Sequence, residues 1–227
     1  MKTGEKVLAI VFVSFILLFF LMWAIGCSNV YAEDTIQKTM EIPYDEPELS
    51  AITTVINDTA YVKIINVLDG TDEIRLWSDI HLIKEKYQNV NKYIIYLDCY
   101  GGVAKSGFAV GDLLSSLQDK YEVEIQASGI VASAAVMVFL SVKNRYAKPN
   151  TLFMVHDVAS TSGGDSKLDF GDVKSMERMF NLLTARYVKI LCSNSKLTED
   201  EWTNKMEDTT YFWTQDAIEW GMIEEAK

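Results

Sequence analysis

The sequence predicts an α/β domain built on mostly parallel strands. Short apolar, β-branched runs alternate four times with stretches of helical spacing, which implies right-handed helical crossovers between neighbouring strands. A chain of 227 residues, 49% of them hydrophobic, is also long enough to bury one substantial core.

The first segment lies apart from that pattern. Two lysines precede a run from Val7 to Ile25 that only Ser14 interrupts. At ~1.5 Å per residue such a run reaches across a hydrocarbon core of roughly 30 Å. Three fates are open. They are an uncleaved signal anchor with its lysines inside, a signal peptide cleaved after Val30-Tyr31-Ala32, and a lipoprotein signal in which Ala24-Ile-Gly-Cys27 offers the cysteine. The apolar run is long for a cleaved signal and Ala24 is an unusual residue three before a lipidated cysteine, so the anchor is favoured. Each fate places the chain from Glu33 onward outside the cytoplasm, either membrane-anchored or exported.

Residues 1–27 are therefore set aside as an address, and 28–50 read as an acidic linker. Glu33, Asp34, Glu41, Asp45, Glu46 and Glu48 face a single Lys38 there, with Pro43 and Pro47 and no apolar period. The folded domain is expected over 51–227. Within it, Tyr61 to Val67 reads as a strand, and Thr71 to Gln88 as a helix with Asp72 and Glu73 in its first turn. Tyr93 to Leu97 is a short buried strand, and a helix from about Lys105 to Gln118 follows a glycine pair. Val123 to Ala127 is the next strand; a small-residue turn through Gly129 then leads to an apolar helix, Ala134 to Leu140. Leu152 to Val155 is a further strand. Asp172 to Leu191 is a long helix whose seam of Met176, Phe180, Leu183, Tyr187 and Ile190 suits core packing and a contact between copies. Thr198 with Glu201 forms a capping box, and Thr214 is read as the cap of a last helix ending at Gly221.

Composition removes several function classes. A net charge of −11 argues against nucleic-acid binding, which rests on clustered Lys and Arg. Cys27, Cys99 and Cys192 are too scattered for a disulfide framework or a zinc site. The glycines form neither a dinucleotide fingerprint nor a phosphate loop, and no cofactor is expected.

Three stretches carry the chemistry. Ser133 sits where a strand turns into a helix, beside backbone N–H groups with no intrahelical partner; such groups favour a developing oxyanion. Capping a buried helix is the ordinary alternative for that serine. Asp98-Cys-Tyr-Gly-Gly102 puts paired glycines at a strand end, where backbone can approach a ligand that a Cβ would exclude; a tight turn is the plainer reading. Met154-Val-His156 ends the next strand in an imidazole. The chain has two histidines, and His81 falls within a helical pattern as a structural residue. Strand ends on one rim of a parallel sheet converge, so Ser133 and His156 are expected to meet. Asp157 points to the other side of an extended chain and is a poor partner for that imidazole.

Taken in order, Gly101-Gly102 with Gly107 and Asp112, then Gly129-Ile-Val-Ala-Ser133, Arg145-Tyr-Ala-Lys-Pro-Asn150 leading to His156, and Ala217-Ile-Glu-Trp-Gly221 resemble the Clp protease proteolytic subunit family over roughly Tyr61 to Glu224. The resemblance implies a ClpP/crotonase-like fold of stacked ββα units and a serine peptidase. Ser133 would be the nucleophile, His156 the general base, and the N–H groups of Gly102 and Ala134 the oxyanion hole. The family's acidic position falls on Thr209, and a one-residue slip would supply Asp208. Ala134 stands where the family commonly has methionine and Tyr100 where it has proline; neither change removes a backbone donor. The long helix would match a ring-to-ring handle, and 161–167 the strand beside substrate.

The leading expectation is thus a membrane-anchored or exported serine endopeptidase. Its partners would be peptide or unfolded protein, further copies through the 172–191 helix, and the membrane through 7–25. An ATP-driven unfoldase would be out of reach of an exported domain. Lys167 is an alternative base of the Ser-Lys type. Two other classes stand beside it: a catalytically silent ring or scaffold protein lacking the role of Asp208, and a crotonase-type acyl-CoA enzyme sharing the paired-amide oxyanion hole.

Overall fold

The computed structural model describes residues 48–159 and 170–227, and its compact unit is Glu48–Lys227. The apolar run at 7–25, Cys27, most of the acidic linker, and the 161–167 stretch with Lys167 lie outside the described residues. Among the described residues no helix is long and apolar enough to cross a membrane.

The domain is a seven-stranded sheet with helices against one face. In chain order the elements are β1 (Thr53–Ile56), β2 (Thr59–Leu68), α1 (Asp72–Lys86), β3 (Lys92–Gly102), α2 (Ala104–Leu117), β4 (Glu122–Ala132), α3 (Ala134–Leu140), β5 (Asn144–Ala147), β6 (Leu152–Val155), α4 (Phe170–Ser193), α5 (Glu199–Glu207), β7 (Thr210–Trp213) and α6 (Thr214–Glu219). The strands run β1-β2-β3-β4-β6-β7, with β5 paired to β4 off that path. Strands β2, β3, β4, β5 and β6 pair in parallel, whereas β1 on β2 and β7 on β6 are antiparallel. The expected mostly parallel α/β sheet is present.

Alternation along the strands explains which face is covered. Val62, Ile64, Tyr93, Ile95, Leu97, Val123 and Ile125 point inward and are buried, each contributing on the order of 1.5–3 kcal/mol for its aliphatic or aromatic side chain. The opposite face keeps the Lys92 bridges to Glu122 and Glu124 and the stacked rings of Tyr61 and Tyr96. It also leaves Ile65 and Tyr96 exposed. Helix α3 is buried at every position, which is what an apolar sequence without a polar stripe dictates.

The structure departs from the sequence reading in four places. The strands read as ending at Leu97 and Ala127 extend to Gly102 and Ala132. Strands β1, β5 and β7 carry too little alternation to be seen in advance. Thr214 is not a cap: its hydroxyl donates to the carbonyls of Lys148 and Thr151, and the helix start is satisfied instead by the Asp216 carboxylate, which accepts the Trp213 N–H at 2.8 Å. The capping box at Thr198 and Glu201 forms as expected.

The fourth departure is Gly129, read as a turn and found inside β4. Leu97 pairs with Ala127, but Cys99 pairs with Val131, so β4 carries extra residues at this bulge. Gly129 holds φ at +63°, and the Asp98 carboxylate accepts the Ile130 N–H at 3.0 Å, replacing the ladder bond the bulge interrupts. A Cβ at position 129 would stand 2.6 Å from Asp98 Oδ1. Gly129→Ala must therefore adopt a left-handed backbone and push the carboxylate off Ile130. We expect a loss on the order of 1–3 kcal/mol, read as a lower urea midpoint at unchanged slope.

Candidate active site

Strand β4 delivers Ser133 and strand β6 delivers His156. The parallel pairing of Ile130, Val131 and Ala132 with Leu152, Phe153 and Met154 continues one step as the Ser133 N–H donates to the Met154 carbonyl at 2.8 Å. Helix α3 begins at the next residue, so the chain reverses at Ser133 itself, which adopts φ 54° and ψ −125°. A non-glycine residue in that region is strained and persists only where its surroundings over-determine it, a condition often found at reacting residues. The turn leaves the hydroxyl projecting from the rim of the sheet. One residue beyond β6, the half-buried His156 reaches the same rim, with Nε2 2.9 Å from Ser133 Oγ. The hydroxyl and imidazole that the sequence placed on two strand ends are in hydrogen-bond contact.

The glycine pair ends β3 on the same rim. Gly101 has φ +87°, and a Cβ there would lie 2.7 Å from Ser133 Cβ and 2.9 Å from Ala134 N; Gly102 follows with φ +136°. Only glycine lets this backbone pass so close to the serine. Gly102, Ser133, Ala134 and His156 line one cleft of about 680 Å³. Its wall comes from α4, through Met176, Met179, Phe180, Leu183 and Tyr187. The four groups expected to converge do share a pocket.

Asp208 stands apart from them. It caps the C-terminus of α5, its side chain is exposed, and among the described residues no hydrogen bond joins its carboxylate to His156. The segment that bears it does run beside the imidazole. Val155 pairs with Thr210, and the Asp157 N–H donates to the Met206 carbonyl at 3.2 Å. Thr209, with φ 52°, turns the chain between α5 and β7. His81 is exposed on α1, where it meets Glu85 at 3.2 Å and stacks on Trp77.

Sequence reasoning missed the part played by Tyr187. The apolar seam accounts for its ring, yet its hydroxyl donates to the Ser133 carbonyl at 2.9 Å. It is buried, and burial pushes its pKa up, so the phenol remains a donor. The available signal was its polar tip. A buried tyrosine needs a partner for its hydroxyl, and an apolar seam supplies none.

Comparison with known proteins agrees with this architecture. Residues 48–226 match the model of the Clp protease family. A curated relative, the ATP-dependent Clp protease proteolytic subunit 2 of Treponema denticola, is 25% identical over 144 residues, covering 63% of this chain and 69% of that protein. The protein of the same name from Borreliella burgdorferi is 31% identical over 91 residues, covering 39% of this chain and 45% of its own length. Among solved structures, a ClpP1 mutant from Listeria monocytogenes superposes with a TM-score of 0.63 at 16% identity, covering 74% of this chain and 90% of that one. Matched along almost all of its folded part, this chain belongs to the Clp protease family.

Proposed function

We propose that this chain is a serine endopeptidase, membrane-anchored or exported, that hydrolyses peptide bonds through an acyl-enzyme. The observation that carries the reading is the 2.9 Å contact between His156 Nε2 and Ser133 Oγ at the floor of a largely apolar cleft. With the Nδ1–H tautomer, the Ser133 hydroxyl donates to Nε2. As Oγ attacks the scissile carbonyl, the imidazole takes the hydroxyl proton, and the negative charge on the former carbonyl oxygen is met by the N–H groups of Gly102 and Ala134. The imidazolium then protonates the leaving amine. Water repeats the sequence on the ester and frees Ser133.

Asp208 is the carboxylate proposed to orient Nδ1 when its side chain turns toward His156, because the segment that bears it runs beside the imidazole. The unjoined carboxylate favours a second reading, in which the chain is a non-catalytic ring or scaffold member that binds peptide without turnover. Helix α4 supports association with further copies in either case, since Val173, Met179 and Leu182 are about half exposed or more. The run at 7–25 supports the membrane assignment, with 28–50 as tether. An exported domain has no ATP at hand, so its substrates are short or already unfolded.

A fluorophosphonate probe should label the wild-type oligomer at Ser133 and spare Ser133→Ala; a folded oligomer that stays unlabelled and cleaves no peptide leaves the scaffold reading standing. Asp208→Asn should lower kcat by about 10⁴-fold if that carboxylate completes a triad. An unchanged kcat would make the site a Ser133–His156 dyad. For the anchor, the full chain should remain in the membrane pellet through alkaline carbonate extraction and need detergent for release. Recovery in the carbonate supernatant would remove it.

A further inference from the structure

Ser133 contributes more than its hydroxyl to this site, because its carbonyl belongs to the same peptide unit as the Ala134 N–H. That unit is planar and trans, so the carbonyl and the N–H point in opposite directions and turn together. Whatever fixes the oxygen aims the hydrogen. Among the described residues two groups hold the Ser133 carbonyl: the Val136 N–H at 3.0 Å, from within the first turn of α3, and the Tyr187 hydroxyl at 2.9 Å, from α4.

We infer that Tyr187 is a positioning residue that sets the direction of the Ala134 N–H by clamping the opposite end of its peptide unit, and so holds the oxyanion hole ready before substrate arrives. The inference rests on the serine-peptidase reading and deepens it. Three features support it. Ser133 sits in a strained backbone region, so its peptide plane needs external constraint to stay where it is. The Val136 bond is a local three-residue turn contact, and a hold from a separate helix restricts rotations that a local bond follows. Tyr187 is buried, so its ring is held by packing and its hydroxyl is presented to the carbonyl by an ordered side chain, and a donor already ordered loses little on reaction.

The same helix makes the constraint sensitive to what occupies the cleft. Met176, Phe180, Leu183 and Tyr187 lie on one face of α4, stepping by four, three and four, and all four line the pocket. The helix surface that would receive apolar substrate side chains also carries the hydroxyl that aims the donor. A displacement of α4 along its axis would therefore alter the oxyanion hole through the Ser133 carbonyl, with no direct pull on the Ser133 hydroxyl or His156.

Tyr187→Phe is the deciding variant. The ring stays, so the cleft wall is preserved, and the Ser133 carbonyl keeps the Val136 N–H, so no buried acceptor is left bare and the variant is expected to fold. Deleting an oxyanion donor outright costs about 10²–10³ in kcat; a donor left in place but free to turn should cost less, about 10- to 100-fold, with KM unchanged. A purely structural role would change the folded fraction and leave kcat per labelled site alone. Crystal structures of wild type and Tyr187→Phe supply a readout independent of turnover: the Ser133–Ala134 peptide should rotate or split into two orientations in the variant. Wild-type kcat in the variant, or an unmoved peptide plane, overturns the inference. If the wild-type chain itself is neither labelled by fluorophosphonate nor able to cleave peptide, the peptidase reading has failed first and the catalytic part of the inference falls with it; the crystal comparison still shows whether Tyr187 holds the plane.

Discussion

The site depends on one short parallel pairing. Three consecutive residues of β4 lie in register with three of β6, and the Ser133 N–H to Met154 carbonyl bond extends that ladder to the nucleophile itself. His156 is two residues beyond Met154. The distance between hydroxyl and imidazole is thus fixed by strand geometry, not by a flexible loop, and it forms although 23 residues separate the two in sequence. Catalytic constellations held on regular elements are the ones that stay within a few tenths of an ångström of their working geometry.

That pairing exists because β4 changes partners along one edge. Its first half, Glu124 to Ala127, pairs with β5, and its second half, Ile130 to Ala132, pairs with β6. The change falls at the Gly129 bulge, where the strand gains residues relative to β3 and Asp98 takes up the Ile130 N–H. A chain of rings then fixes β6 from behind. Phe139 of α3 meets Phe153 of β6, Phe153 stacks on Phe212 of β7, and Phe212 packs on Trp220, which meets Trp202 of α5. The helix after the nucleophile and the strand before the base share one aromatic core, so the strain at Ser133 is opposed by packing on both sides.

Much of this was legible in the residues. The alternation of apolar runs gave the parallel sheet, because buried strands must be apolar and crossovers must be helical. Ser133 and His156 could be joined on paper because strand ends in such a sheet share a rim. What stayed hidden has a physical reason in each case. Asn144 to Ala147 forms a strand without an apolar pattern, since β5 takes its place from the neighbouring β4 and not from its own periodicity. Gly129 looks the same in a turn and in a bulge. Thr214 has the residue type of a cap, but its hydroxyl is drawn to two carbonyls on the chain just before β6. Asp208 had the correct chemistry and neighbourhood, while its side-chain direction depends on how the chain turns at Thr209, which spacing alone does not specify.

The outer face of the sheet has a consequence of its own. Mostly parallel sheets are normally covered on both sides, whereas here Ile65 and Tyr96 remain in water on one. The chain also carries a net charge of −11, so two copies repel one another in dilute buffer. At 0.1 M salt the repulsion reaches only about 10 Å. Screening therefore acts between two copies of this chain in the opposite sense to its effect on oppositely charged partners: added salt weakens a repulsion instead of an attraction.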